Sequence, residues 1–158
     1  MGISAHVREA WRINDSVNGV LLGHLTAEML HAQTPGGGYS TAQHLAHLTE
    51  AKKFWGEMLD KSIGTLPDLV DDMSGADFVA ETDLARIQEV MGQTSQRLLE
   101  SAERADGKGD LPYSSVEVFL IHLVAHDSHH RGQILLALKT AGHSLPDEGA
   151  LWGLWRET

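Results

Sequence analysis

Histidines near the end of the chain carry the strongest chemical signal in this sequence. Ten of the 158 residues are histidines, an uncommon filler residue and the commonest metal ligand in proteins. Four of them fall within nine residues of one apolar segment: His122, His126, His129 and His130. Because residues four apart stack on one face of a helix, His126 and His130 are predicted to bind one divalent metal ion together.

A second pair on the same segment, His122 and His126, has the same spacing. On a helical wheel that advances about 100° per residue, His130 falls beside the arc of apolar residues and His126 lies next to it. His122 and His129 fall progressively further toward the edge of that arc. The wheel therefore favours the pair of His126 and His130.

A third ligand must come from another helix. His44 and His47 both lie near the apolar side of the second predicted helix, and the wheel does not choose between them. Three neutral imidazoles leave a coordination position open for water, as in catalytic metal sites. Such ligands admit zinc, nickel, iron(II) or copper, and availability decides among these metals. The alternative for the whole group is a polar stripe of solvated histidines.

These histidines must be positioned by helices, because apolar residues recur at helical spacing in four segments. The predicted helices run from Ile3 to about His31, from a Ser40 cap to about Lys61, from about Thr82 to Arg104, and from a Ser114 cap to Gly142. Glycine and proline residues interrupt the pattern between them. The fold class predicted is all-α, a four-helix bundle.

Two segments outside the helices complete this single predicted domain of residues 1–158. Residues 62–80 contain Gly64, Pro67 and Gly75 and are predicted to form a long connection between the second and third helices. Residues 143–158 form a short C-terminal tail with Trp152 and Trp155, which is too apolar for a disordered end. We expect this tail to pack on the bundle or on a partner subunit.

Composition excludes several classes of function. Cysteine is absent, so disulfides, thiolate metal sites and cysteine nucleophiles are excluded. A formal net charge of −10 opposes binding to nucleic acid. Charged residues run through residues 1–20, and no uncharged apolar run of spanning length occurs elsewhere, so we expect a soluble, cytoplasmic protein with no membrane partner.

The chain resembles the DinB-like (DinB/YfiT) metalloenzyme superfamily along nearly its whole length. Members have a histidine followed by leucine on the second helix, matched here by His47 and Leu48 after the aromatic Tyr39. They also have a late His-x-x-x-His that commonly continues Arg-Gly-Gln, matched here by His126 and His130. The late motif is fairly specific and the early one is loose. Through this match the resemblance selects His47 as the third ligand and leaves His44 as its neighbour.

The resemblance implies an up-up-down-down four-helix bundle, a divalent metal held by His47, His126 and His130, and a homodimer. Characterised relatives include transferases that use low-molecular-weight thiols such as bacillithiol or mycothiol, and a few hydrolases and isomerases. We therefore expect a small-molecule substrate, with a thiol as one candidate, and zinc, nickel or iron as the metal. The alternative is a dimeric binding or structural protein without catalysis, which the tryptophan-rich tail favours.

Overall fold

The structure, a computed structural model, describes residues 2–72, 75 and 77–156. Within these residues it is all-helical and confirms the predicted fold class. Four long helices dominate: α1 Ala5–His24, α2 Thr41–Gly56, α3 Leu84–Arg104 and α4 Val116–Thr140. A short α5, Glu148–Trp152, follows them, and 3₁₀ turns lie at Met29–His31, Lys61–Thr65 and Gly153–Trp155. Parts of the predicted connection, residues 73, 74 and 76, and of the predicted tail, residues 157 and 158, lie outside the described residues.

Polar side chains at the N-termini determine where the helices begin. At α2 the predicted capping box is confirmed, because the Ser40 hydroxyl accepts from the Gln43 backbone N–H and the Gln43 side chain accepts from the Ser40 N–H. At α4 the predicted Ser114 cap is wrong. The cap is Ser115, whose hydroxyl accepts from the backbone N–H three residues on. The carboxylate of Glu117, in the first turn of α4, accepts from the backbone N–H of Ser4 at 2.6 Å.

The first two helices end earlier than predicted. Helix α1 ends at His24 rather than near His31, and α2 ends at Gly56 rather than near Lys61. Apolar residues beyond α1, such as Leu25 and Leu30, remain buried although they lie in turns. Their burial continues the apolar periodicity past the end of the regular helix, which is why the sequence pattern overestimates its length.

Hydrogen bonds between α1 and α4 show that these two helices run in the same direction. Ser4 at the start of α1 pairs with Glu117 at the start of α4. Asn14, about halfway along α1, pairs with Asp127, about halfway along α4, at 2.8 Å.

The same reasoning orients α2 and α3. His44 at the start of α2 pairs with His130 in the second half of α4, and Trp55 at the end of α2 contacts Tyr113 just before α4, so these two helices are antiparallel. A bond between the start of α1 and the end of α3 makes that pair antiparallel as well. Both α1 and α2 pack against α3 and α4. The helices therefore run up, down, down and up.

The up-up-down-down arrangement predicted from the resemblance is therefore wrong in its helix directions. Successive antiparallel helices need only a short loop, whereas successive parallel helices need a connection that travels the length of the bundle. Residues 57–83 make that connection between α2 and α3, where α2 alone rises about 24 Å at 1.5 Å per residue. The long connection predicted from the sequence is thus the crossover between the two parallel helices.

The apolar core falls into two clusters along the bundle. One contains Leu21, Leu48 and Ile134, and the other is built around Trp11 and Phe119. Between the two clusters, the inward positions of α1, α2 and α4 are polar. A buried polar layer therefore crosses the middle of the bundle, next to the histidines.

The tail packs on the bundle as expected. Helix α5 contacts α1 and buries Leu151, whereas Trp152 and Trp155 remain partly exposed. No helix in the described part of the chain is long and apolar enough to cross a membrane.

Candidate metal centre

The structure brings His47, His126 and His130 together between α2 and α4. His126 and His130 lie one turn apart on α4, with ring centroids separated by 4.6 Å. The ring of His47 from α2 lies 5.1 Å from that of His126 and 4.7 Å from that of His130. One nitrogen of each ring lies within 4.8 Å of the other two. The three rings predicted from the sequence therefore converge, with no aliphatic side chain between them.

Unsatisfied ring nitrogens show that this cluster suits a bound cation. The Nδ1 atoms of His47 and His126 are buried and have no hydrogen-bond partner among the described residues. A buried polar atom without a partner costs free energy, which a ligand would offset. Nitrogen atoms around a tetrahedral zinc ion at about 2.1 Å lie about 3.4 Å apart, so small ring rotations suffice to close the set. The donors fit zinc, nickel or iron.

His44 differs from His47 in its contacts. Its Nε2 lies 2.7 Å from the Thr34 hydroxyl and its Nδ1 lies 2.9 Å from Nδ1 of His130. Both nitrogens of His44 are therefore engaged in hydrogen bonds. His44 is a neighbour that holds His130, rather than a member of the converging trio.

The hydrogen-bond chain through His44 determines where the proton on His130 lies. The Thr34 hydroxyl donates to the Tyr39 carbonyl at 2.9 Å, because a carbonyl only accepts. That hydroxyl must then accept from the Nε2–H of His44, which leaves Nδ1 of His44 as an acceptor. His130 consequently donates through its Nδ1–H, so its Nε2 has a free lone pair. This is the tautomer that a metal ligand needs.

Burial keeps the site histidines neutral. Desolvation, followed by the neighbouring imidazoles, lowers the pKa of His44 to about 4 and that of His130 to about 3. Burial also lowers the pKa of His47 and of His126. The lone pairs needed for coordination are therefore available at neutral pH.

The acid beside His126 does not support the histidines. Asp127 is fully buried, and its Oδ2 accepts from Lys52 at 2.7 Å, from Asn14 at 2.8 Å and from Asn18 at 2.9 Å. Arg131 donates to the carbonyl oxygens of both asparagines at 2.7 Å. We call these five residues the buried ionic network. Burial alone would raise the pKa of Asp127, but Lys52 and the hydrogen bonds hold it below its ordinary value.

This network is the part of the centre that sequence analysis missed. Asp127 and Arg131 are both buried, and their side chains point into the bundle, where they contact Asn14 and Asn18 of α1. Asn14 and Asn18 lie four residues apart on the face of α1 that also presents Val17 and Leu21 to the core. Two asparagines on an apolar helix face are the signal that could have revealed it.

The remaining candidates lie around the site rather than in it. His122 is exposed, and its Nδ1 lies 2.6 Å from the Tyr113 hydroxyl. His129 is also exposed, with its ring 5.0 Å from that of His130. Glu50, one turn beyond His47 on α2, accepts from the Leu69 backbone N–H at 2.9 Å.

Comparison with protein families identifies the family of this chain. The model of the DinB family matches residues 1–157. The chain therefore belongs to the DinB family. No curated protein and no solved structure matches it.

Proposed function

We propose that this protein is a metal-dependent enzyme in which His47, His126 and His130 hold a divalent zinc, nickel or iron ion. The observation that carries the proposal is the convergence of three neutral imidazoles, two of which have buried nitrogens without a partner among the described residues. Family membership supports the same conclusion. Three protein ligands leave a position open, as catalytic sites require.

The chemistry of such a site is the activation of a nucleophile. A divalent cation bound by three imidazoles lowers the pKa of a bound water or thiol, which supplies hydroxide or thiolate near neutral pH. The residues of this chain supply the neutral donors, and the chain from Thr34 through His44 orients His130. Two reactions follow from these nucleophiles: transfer to a low-molecular-weight thiol, and hydrolysis.

The metal is tested by removing the two histidines of α4. We expect the purified protein to bind one zinc or nickel ion per chain by elemental analysis, and the His126→Ala and His130→Ala double variant to bind none. The matched control is His122→Ala with His129→Ala, which removes two exposed histidines from the same helix and should leave the metal in place. A folded wild-type protein that binds no divalent metal, or a double variant that binds it normally, would refute the proposal.

The two reactions are separated by their need for a thiol. A transferase consumes a low-molecular-weight thiol together with an electrophile, and only in the metal-loaded protein. A hydrolase turns over esters or amides without a thiol.

A non-catalytic role is the second candidate, and the exposed aromatic side chains of the tail favour it. Trp152 is 55% exposed and Trp155 is 40% exposed, so both offer apolar surface to a second copy of the chain. A homodimer is compatible with either function. Light scattering of the wild type and of a Trp152→Ser variant tests it, because loss of the dimer in the variant would place this surface in the contact.

A further inference from the structure

A cavity of about 640 Å³ lies beside His47 and follows the exposed face of α2. His47, Ala51 and Phe54 line the cavity from α2, and Asp68, Val70, Asp71 and Asp72 line it from the crossover. His47 therefore belongs both to the cavity wall and to the histidine cluster. The cavity therefore adjoins the histidine cluster through His47.

Charge in the cavity is strongly one-sided. Five carboxylates line it: Glu50, Glu57, Asp68, Asp71 and Asp72. Among the described residues that line the cavity, Lys53 is the single cationic side chain, and its ammonium is already paired with Asp68 and lies 3.6 Å from Glu50. A cleft with carboxylates on several sides concentrates cations and repels anions.

Two aromatic side chains also line the cavity. Phe54 is 56% exposed, although large apolar side chains are usually buried, and it lies edge-on to Trp55 with ring centroids 5.1 Å apart. Both rings line the same cavity as the carboxylates. Aromatic faces attract cations and also bind apolar groups.

We propose that the substrate bound in this cavity is a small molecule with a protonated amine next to an apolar or aromatic group. The ammonium group donates to the carboxylates of Glu57 and Asp71, and the apolar group packs on Phe54. This inference rests on the proposed function, since it treats the cavity as the entrance to the three histidines. It disfavours polyanionic thiols as the molecule bound here.

The test compares three probes that share one ring and differ in charge. These are 2-phenylethylamine, 2-phenylethanol and phenylacetate, titrated into the zinc-loaded and the zinc-free full chain by calorimetry. We expect 2-phenylethylamine to bind at least about fivefold more tightly than the other two, which is the effect of two exposed charge contacts. Added salt should reduce that preference.

Charge-neutralising variants identify the cavity as the place of binding. The Glu57→Gln and Asp71→Asn double variant should weaken 2-phenylethylamine binding about fivefold. The matched control is Glu9→Gln with Glu28→Gln, which removes the same charge from exposed positions outside the cavity and should change nothing. The amine proposal is overturned if 2-phenylethylamine does not bind, if either other probe binds equally well, or if the cavity variant keeps full affinity.

A zinc titration of the same samples keeps the two proposals apart. Zinc binding without a preference for the amine refutes the substrate class and leaves the metal site standing. Amine preference in a chain that binds no zinc refutes the metal-dependent function and supports the cavity as an amine site.

Discussion

His126 and Asp127 are neighbours in sequence, yet they belong to two regions of opposite character. Asp127 lies in the buried ionic network, where Oδ2 accepts three hydrogen bonds and a lysine neutralises its charge. His126 lies in the half-exposed histidine cluster, where its buried Nδ1 has no partner among the described residues. The helix turns Asp127 into the bundle and His126 toward the rings of His47 and His130.

We therefore expect the buried ionic network to stabilise the fold and the histidine cluster to bind the metal. Within the network Lys52 neutralises Asp127, whose Oδ2 accepts three hydrogen bonds while its Oδ1 is buried without a partner among the described residues. Loss of this carboxylate should therefore damage stability. The histidine cluster keeps donor atoms unsatisfied at a cost to stability, as binding sites do. Variants of the two regions should therefore have opposite effects on stability and on metal binding.

The largest effect is expected from Asp127→Ala. Removing this carboxylate leaves Lys52 buried without its counter-ion, which should lower the free energy of unfolding by about 3–5 kcal/mol. Urea denaturation measures the loss. The Lys52→Met and Asp127→Leu double variant removes both charges and should recover part of the stability, since Asn14 and Asn18 still lose their acceptor. A single variant as stable as the wild type would show that the network does not support the fold.

The opposite pattern is expected from His126→Gln. Glutamine keeps the approximate size and polarity of the side chain, so the unfolding free energy should change by less than about 1 kcal/mol. Zinc affinity should fall by more than about 100-fold, because loss of a residue that only supports a ligand already lowers metal affinity by up to about 100-fold. Competition with a fluorescent chelator measures this change. Equal affinity in the variant and the wild type would remove His126 from the site.

Acid should destabilise the metal-free protein through the histidine cluster. Histidines of the unfolded chain take up protons as the pH falls through about 6.5. The folded state keeps His44 and His130 neutral until about pH 4 and pH 3. The unfolded state therefore binds more protons in this range, and stability should fall from about pH 6.5 downward. The His44→Gln and His130→Gln double variant should show a shallower fall, and an unchanged slope would contradict this cause.

The smallest effect is expected from Thr34→Val, which removes the hydroxyl at the start of the hydrogen-bond chain. Without it, His44 no longer has to donate through Nε2, and His130 loses its single tautomer. Zinc affinity should fall by less than about tenfold, and nitrogen NMR should show the proton of His130 shared between both ring atoms. Thr49→Val is the control, since Thr49 lies on α2 with His44 and its hydroxyl donates to the Leu45 carbonyl. Equal effects of the two variants would argue against the chain.

Much of the fold could be predicted from the sequence, because periodicity and glycine-rich breaks locate all four long helices. The directions of the helices could be predicted less well, although the lengths of the connections between helices indicate them. The longest connection falls at residues 57–83, which is where parallel helices α2 and α3 need it. Helix ends could not be predicted as well, because Leu25 and Leu30 are buried outside regular helix.

The metal centre too could be predicted only in part. Spacing alone predicted the pair His126 and His130, while resemblance to the family was needed to choose His47 over His44. The hydrogen bonds that occupy both nitrogens of His44 depend on a loop residue, Thr34, and no periodicity reports such a contact. Long-range polar contacts between helices were beyond what sequence spacing can predict.

The central claim is that three imidazoles from α2 and α4 hold one metal ion. Anomalous diffraction at the zinc edge, from crystals of the zinc-loaded protein, tests it most directly. The account predicts a single strong peak about 2.1 Å from one nitrogen each of His47, His126 and His130. A peak bound elsewhere, or no peak at these three rings in zinc-loaded crystals, would contradict it.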